Sequence, residues 1–262
     1  YFRNKFMLKL SVSSIGTFEK CPKKYHFNYI EKPNIARQKH DFTEFGSCAH
    51  QILENFHNYI LDNPESSESE WPRIMKNSFI DGVKKFDINL LSLDTWAPEG
   101  SMPGIKLLRK IMQEYLDKLR ADGMPNVVGI ETSYNFKIKD GAYIRGYIDR
   151  IDKIDDETYH VVDYKTSKST KYLTNFQLLV YAEAVRRIFP DAKVVHGSYN
   201  MLKHGCKLVS WKFTDMDYKD CKRTLEKRSF QIEEEKVWVK KPSMLCQWCD
   251  FRSICQDSWS EE

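Results

Sequence analysis

Three charged residues in a short span carry the chemistry of this sequence. They are Asp149 in YIRGYIDRIDKI (143–154), and Asp163 and Lys165 in TYHVVDYK (158–165). On an extended strand alternate residues share a face, so Asp163 and Lys165 project together while Val162 and Tyr164 point the other way. A short turn between the two segments can set Asp149 beside Asp163, and two carboxylates and an ammonium then converge. Carboxylate oxygens hold Mg²⁺ or Mn²⁺, the metal activates water and polarises a phosphoryl oxygen, and the lysine orients the nucleophile or offsets developing charge. That is the equipment for phosphodiester hydrolysis. An isolated Asp-x-Lys would be a solvated ion pair worth about 0–1 kcal/mol. Here Val161 and Val162 precede it, which places the charges where a strand leaves the core.

A second constellation is made of cysteine. Cys246, Cys249 and Cys255 cluster in CQWCDFRSIC, and Cys21 lies far away in EKCPKKY. Seven cysteines is an odd number, which argues against a fully paired disulfide framework, and in a reducing compartment such clustering reads as metal ligation. Four thiolates suit either a tetrahedral Zn²⁺ or an iron–sulfur cluster, and spacing does not choose between them. Joining residue 21 to residue 246 would close nearly the whole chain and restrict the unfolded ensemble. Cys48, Cys206 and Cys221 show no ligand spacing and read as small buried hydrophobes.

Around these residues the chain has two textures. Residues 11–30 carry Ser caps and apolar spacing for a short helix interrupted at Cys21-Pro22, and 45–62 (FGSCAHQILENFHNYILD) is an amphipathic helix. ESSESE near 65–70 and the stretch 97–104 read as loops, and 105–121 as another amphipathic helix. Strands follow at 127–138, 143–154 and 158–165, an antiparallel meander punctuated by Asp140-Gly141 and Asp155-Asp156-Glu157. A helix at 174–189, strands near 193–201 and 207–213, and a charged helix at 215–235 lead to the cysteine tail. This divides the chain into an N-terminal segment with the first cluster cysteine (1–44), a helical subregion (45–125), a catalytic core (126–214), and a C-terminal helix with the cysteine cluster (215–262).

IRGYIDRID, VVDYKTSK and QLLVY together resemble the RecB-type branch of the PD-(D/E)XK nucleases, whose core is restriction-endonuclease-like α/β, a mixed central sheet flanked by helices. The resemblance makes Asp149 and Asp163 metal ligands and Lys165 the catalytic lysine, with Gln177 and Tyr181 as the Gln-x-x-x-Tyr pair on the following helix. The Tyr164 carbonyl joins the metal ligands, as does His50 in GSCAH, with His57 two turns on as its competitor. Glu131, on the same alternate face of the first strand as Ser133 and Asn135, reads as a further ligand or supporting acid. The four-cysteine arrangement resembles AddB-type nucleases and the CRISPR-associated nucleases of spacer acquisition, which implies a 4Fe–4S cluster on Cys21, Cys246, Cys249 and Cys255. The activity implied is a stand-alone bacterial or phage exonuclease acting on single-stranded DNA ends. The alternatives are a spacer-acquisition nuclease, the nuclease part of a helicase–nuclease, and a metal-cluster-stabilised DNA-binding module without activity. Recombination or replication proteins are the partners such a nuclease would meet.

Composition is consistent with this and adds limits. A net charge of +4 over 262 residues is a mild basic excess, which cations bound among the carboxylates would make more positive towards DNA. No stretch approaches the roughly 18 apolar residues of a membrane span. Tyr1–Lys9 does not read as a secretory signal, so the expected location is cytoplasmic, bacterial or that of a phage host. No GxxxxGK[ST] segment is present, so these residues carry no P-loop motor.

Overall fold

In the computed structural model, which describes residues 7–37, 39–92, 103–171 and 173–255, the periodicities of the sequence become α-helices and strands. They are β1 (Leu8–Leu10), α1 (Val12–Lys20), α2 (Pro22–His26), α3 (Asp41–Asp62), α4 (Trp71–Val83), α5 (Ile88–Ser92), α6 (Gly104–Asp122), β2 (Val127–Lys139), β3 (Ala142–Lys153), β4 (Thr158–Lys165), α7 (Phe176–Ile188), β5 (Val194–Met201), β6 (Lys207–Lys212) and α8 (Asp215–Glu234). Of the loop expected at 97–104, residues 97–102 lie outside the described residues, and Gly104 already opens α6. The stretch at 65–70 ends in a 3-10 turn, Glu68–Glu70, capped by Ser67. No helix among the described residues is long and apolar enough to cross a membrane.

The chain forms two compact units. The larger comprises the described residues of 39–134 and 147–218. In it β3 runs antiparallel to β4 in the register Arg150↔Val162. β4 pairs in parallel with β5, Val162↔Ser198, and β5 runs antiparallel to β6. A parallel pair needs a crossover, and α7 supplies it. Val162 and Tyr164 enter one apolar core with Phe45, Ile52 and Phe56 of α3, Ile74 of α4, and Leu108, Ile111 and Tyr115 of α6. Those helical positions recur every three or four residues, which turns one stripe of each helix towards the sheet. The opposite face of β4 and β5 lies under α7, whose Leu178, Val180 and Val185 are fully buried. This is the mixed sheet flanked by helices that the sequence leads one to expect.

The smaller unit comprises the described residues of 1–38, 135–146 and 219–262. β1, absent from the sequence-based expectation, pairs in parallel with the start of β3, Leu8↔Ala142. It is only three residues long, too short for alternation to show in sequence. Cys21 both ends α1 and caps α2, with Pro22 at the first position of α2, where its missing N–H costs nothing. Phe251 is buried against Phe27, with ring centroids 5.0 Å apart.

Gly197 of β5 lies where α7 comes closest. A Cβ there would stand 2.9 Å from Leu178 Cβ and 3.0 Å from Phe213 Cε2. Gly197→Ala is therefore expected to cost about 1–3 kcal/mol through overpacking, read as a lower thermal unfolding midpoint. An unchanged midpoint would show that α7 is not held this close to the sheet.

Candidate active site

The register Arg150↔Val162 sets Asp149 one step further along, abreast of Asp163 on the same face. Asp149 Oδ2 accepts the Tyr164 N–H at 2.8 Å, a bond between the two strands made inside the site. Asp163 is 2 % exposed, and its Oδ2 lies 2.6 Å from Lys165 Nζ. Lys165 Nζ also donates to Gln177 Oε1 at 3.0 Å, and Gln177 Nε2 donates to the Tyr181 hydroxyl at 2.7 Å. That hydroxyl turns back to Asp163 Oδ1 at 3.5 Å, a long contact that closes the ring. Gln177 and Tyr181 are one helical turn apart on α7, so both face β4. Tyr134 packs edge-on against the Tyr181 ring at 5.8 Å.

α3 brings His50 to the same patch. Gly46, one turn earlier, lets the helix come close: a Cβ there would stand 3.2 Å from Thr166 Oγ1, just past the end of β4. His50 Nε2 lies 2.9 Å from the Tyr164 carbonyl and Nδ1 lies 3.4 Å from Asp149 Oδ2. His57 is elsewhere: it is 1 % exposed, bonded to Tyr115 on the core side, and held neutral by burial and by Arg150. One ligand atom from each of His50, Glu131 and Asp149 lies within 4.8 Å of the others, a spacing that could hold a metal ion.

Glu131 reaches this trio by breaking the alternation of β2. Its φ is +43°, in the left-handed region that side-chain-bearing residues seldom adopt. From Ser133 to Lys137 the odd positions of β2 are exposed, whereas Val127, also odd, is buried. The shift of phase falls around Glu131, as at a β-bulge, and re-aims its carboxylate. Simple alternation, which groups Glu131 with Ser133 and Asn135, does not describe where it points.

The charges at this patch are unbalanced. Burial and then the Asp149 charge push Asp163 up to about 6, against the pull of Lys165 and His50. Burial and Asp149 push Glu131 up to about 7, with Glu54 and Asp163 adding to the rise. For His50 burial alone would favour the neutral ring, but the hydrogen bond and charge of Asp149, with Asp163 behind it, raise it to about 9. Such crowded carboxylates hold protons because they lack positive charge, and a divalent cation would supply it.

The cysteines differ in burial. Cys48, Cys206 and Cys221 are buried, and all seven are free thiols. Cys21 Sγ accepts the Lys24 N–H at 3.4 Å, and Cys246 Sγ accepts the Ser243 N–H at 3.4 Å. Burial raises the Cys255 thiol, Lys240 opposes the rise, and Cys21, Cys249 and Cys246 each add to it. Cys21, Cys246 and Cys249 thus lie near enough to Cys255 in the smaller unit to act on its charge. All four are half-buried free thiols, the soft sulfur donors that a thiolate-bound metal or cluster would take.

Glu131 offers a test of the charge imbalance. Its raised value means the folded chain holds the proton more tightly than the unfolded chain, so stability falls as pH rises from the ordinary 4.5 through about 7. In chelator-treated protein Glu131→Gln should add roughly 1 kcal/mol near pH 8, allowing for partial solvent screening, and nothing at low pH. A thermal unfolding series against pH reads this, and a midpoint that does not rise near pH 8 would rule out the crowding described.

The sequence pattern of the PD-(D/E)XK nuclease superfamily matches residues 9–256. The chain is 28% identical over 215 residues to one subunit of the ATP-dependent helicase/deoxyribonuclease of Clostridium perfringens, covering 71% of this chain and 18% of that protein. It is 29% identical over 189 residues to the subunit of the same name in Streptococcus agalactiae, covering 69% of this chain and 16% of the relative. The chain thus spans under a fifth of the length of these two relatives. Its fold is similar to that of a candidate exonuclease of Eubacterium rectale, with a TM-score of 0.50 at 13% identity, over 98% of this chain and 91% of that one. With nearly its whole length matched by the family pattern, this chain belongs to the PD-(D/E)XK nuclease superfamily.

Proposed function

We propose that the chain hydrolyses DNA phosphodiester bonds at single-stranded ends, using a divalent cation held by His50, Asp149, Asp163 and the Tyr164 carbonyl, with Glu131 as a further or supporting acid. One observation carries the reading: Lys165 Nζ sits between Asp163 Oδ2 at 2.6 Å and Gln177 Oε1 at 3.0 Å, beside the convergence of His50 on Asp149. Bound Mg²⁺ or Mn²⁺ supplies Lewis acidity towards the phosphate and lowers the pKa of a water. Lys165 orients the attacking oxygen and offsets charge on the phosphate. Gln177 and Tyr181 hold the ammonium in place, and Tyr181 leans on Asp163. DNA as substrate is supported by relatives named as helicase/deoxyribonuclease subunits. Their pairing with a helicase favours strands already unwound, and a helicase complex or recombination machinery is the partner to expect.

For the cysteines we propose a 4Fe–4S cluster on Cys21, Cys246, Cys249 and Cys255, with zinc as the alternative. Such a group would staple the two ends of the smaller unit together and contribute its binding energy to folding.

Two outcomes are expected. Lys165→Ala should lower Mg²⁺- or Mn²⁺-dependent cleavage of end-labelled oligonucleotides by at least about a hundredfold while DNA binding persists. Cleavage at the wild-type rate would sink the mechanism, and equal cutting of circular and linear single strands would sink the need for an end. Protein purified without oxygen should be brown, with about four irons per chain, and Cys249→Ser should lose them. A colourless protein carrying zinc would overturn the iron assignment.

A further inference from the structure

The far faces of the two site-bearing strands carry a polar cluster that the proposed chemistry does not use. Arg150 follows Asp149 on β3 and points to the opposite face, into the core, where it is 6 % exposed. Its Nη1 donates to the Tyr115 hydroxyl at 2.6 Å and the Tyr164 hydroxyl at 3.1 Å, and its Nη2 donates to Asp152 Oδ2 at 3.0 Å. Nε lies 2.9 Å from Asp152 Oδ1, so the guanidinium and the carboxylate form a close buried ion pair. The Tyr115 and Tyr164 hydroxyls lie 3.0 Å apart, and Tyr115 meets His57 Nε2 at 2.6 Å.

The three elements that bring Asp149, Asp163 and His50 to the site are rooted in this cluster. β3 carries Asp149 and roots through Arg150. β4 carries Asp163 and Lys165 and roots through Tyr164, whose main chain donates to Asp149 and whose carbonyl faces His50. α3 carries His50 and roots through His57, two turns on. Tyr115 of α6 joins all three. A buried ion pair is weak evidence for stability, because apolar residues of similar volume often serve as well. What apolar residues cannot do is fix three elements to one directional node. We infer that Arg150, Tyr115 and the Tyr164 hydroxyl are positioning residues that set the spacing of the cation-binding groups from the far side of the sheet.

This rests on the proposed role of His50, Asp149 and Asp163 in holding a cation, and the test separates the two claims. Mn²⁺ binding is measured by titration calorimetry, alongside the unfolding midpoint and the Mn²⁺ concentration for half-maximal cleavage. Samples are wild type, Tyr115→Phe, Tyr164→Phe, His50→Ala, and Ile111→Val as a packing control in the same core. Loss of either hydroxyl should weaken Mn²⁺ binding by about tenfold, the usual cost of removing a group that orients a ligand. Raised Mn²⁺ should restore cleavage by Tyr115→Phe. Ile111→Val should lower the midpoint and leave Mn²⁺ affinity at the wild-type value. If His50→Ala loses Mn²⁺ binding but the two phenylalanine variants bind as wild type, or weaken only as Ile111→Val does, the positioning role is wrong and the cation site stands. If His50→Ala binds Mn²⁺ as wild type does, the cation site fails and the positioning role falls with it.

Discussion

The register of β3 against β4 is the constraint on which everything else in the larger unit depends. Arg150 opposite Val162 puts Asp149 abreast of Asp163 on one face and turns Arg150 and Tyr164 together on the other. A slip of one residue would exchange the faces, burying Asp163 and Lys165 among α3 and α6 and sending Tyr164 out of the core. The Tyr164 N–H bond to Asp149 on one side and the Arg150 bond to the Tyr164 hydroxyl on the other both require this one register. Site and core therefore specify the same alignment, each from its own face.

The electrostatics follow from that alignment. Burying Asp163 beside Asp149, with Glu131 brought in by a left-handed residue, assembles more negative charge than Lys165 and His50 neutralise. A fold selected for stability alone would not place carboxylates in this way. Strain and repulsion of this kind are characteristic of sites where a ligand completes the charge balance. Lys165 is held by Asp163, Gln177 and the face of Tyr199, whose ring centroid is 5.0 Å away, so its ammonium is fixed before any phosphate arrives.

How much of this could be read in the sequence depended on the range of the interactions. Asp163 with Lys165, and Gln177 with Tyr181, are related by the periods of one strand and one helix, so their shared faces were legible. Asp149 needed only a short turn between neighbouring strands. Glu131 was legible as an acid but not in its direction, because a single positive φ undid the alternation used to place it. The choice between His50 and His57 followed the motif, and the structure places the second histidine on the core side. The cluster of Tyr115, Arg150, Asp152 and Tyr164 was not legible, since it joins α6 to β3 and β4 across the core and no local spacing encodes such contacts. β1 escaped notice because three residues carry no period. Spacing separated four cysteines from Cys48, Cys206 and Cys221, and in the structure those three are buried while the other four are half-buried.

The most direct measurement of the central claim is anomalous diffraction from crystals of the active protein soaked in Mn²⁺. A manganese peak is expected in contact with His50 Nδ1, with the carboxylates of Asp149 and Asp163 and with the Tyr164 carbonyl, beside Lys165. Crystals that cleave an oligonucleotide in Mn²⁺ yet show manganese only away from these groups would contradict it.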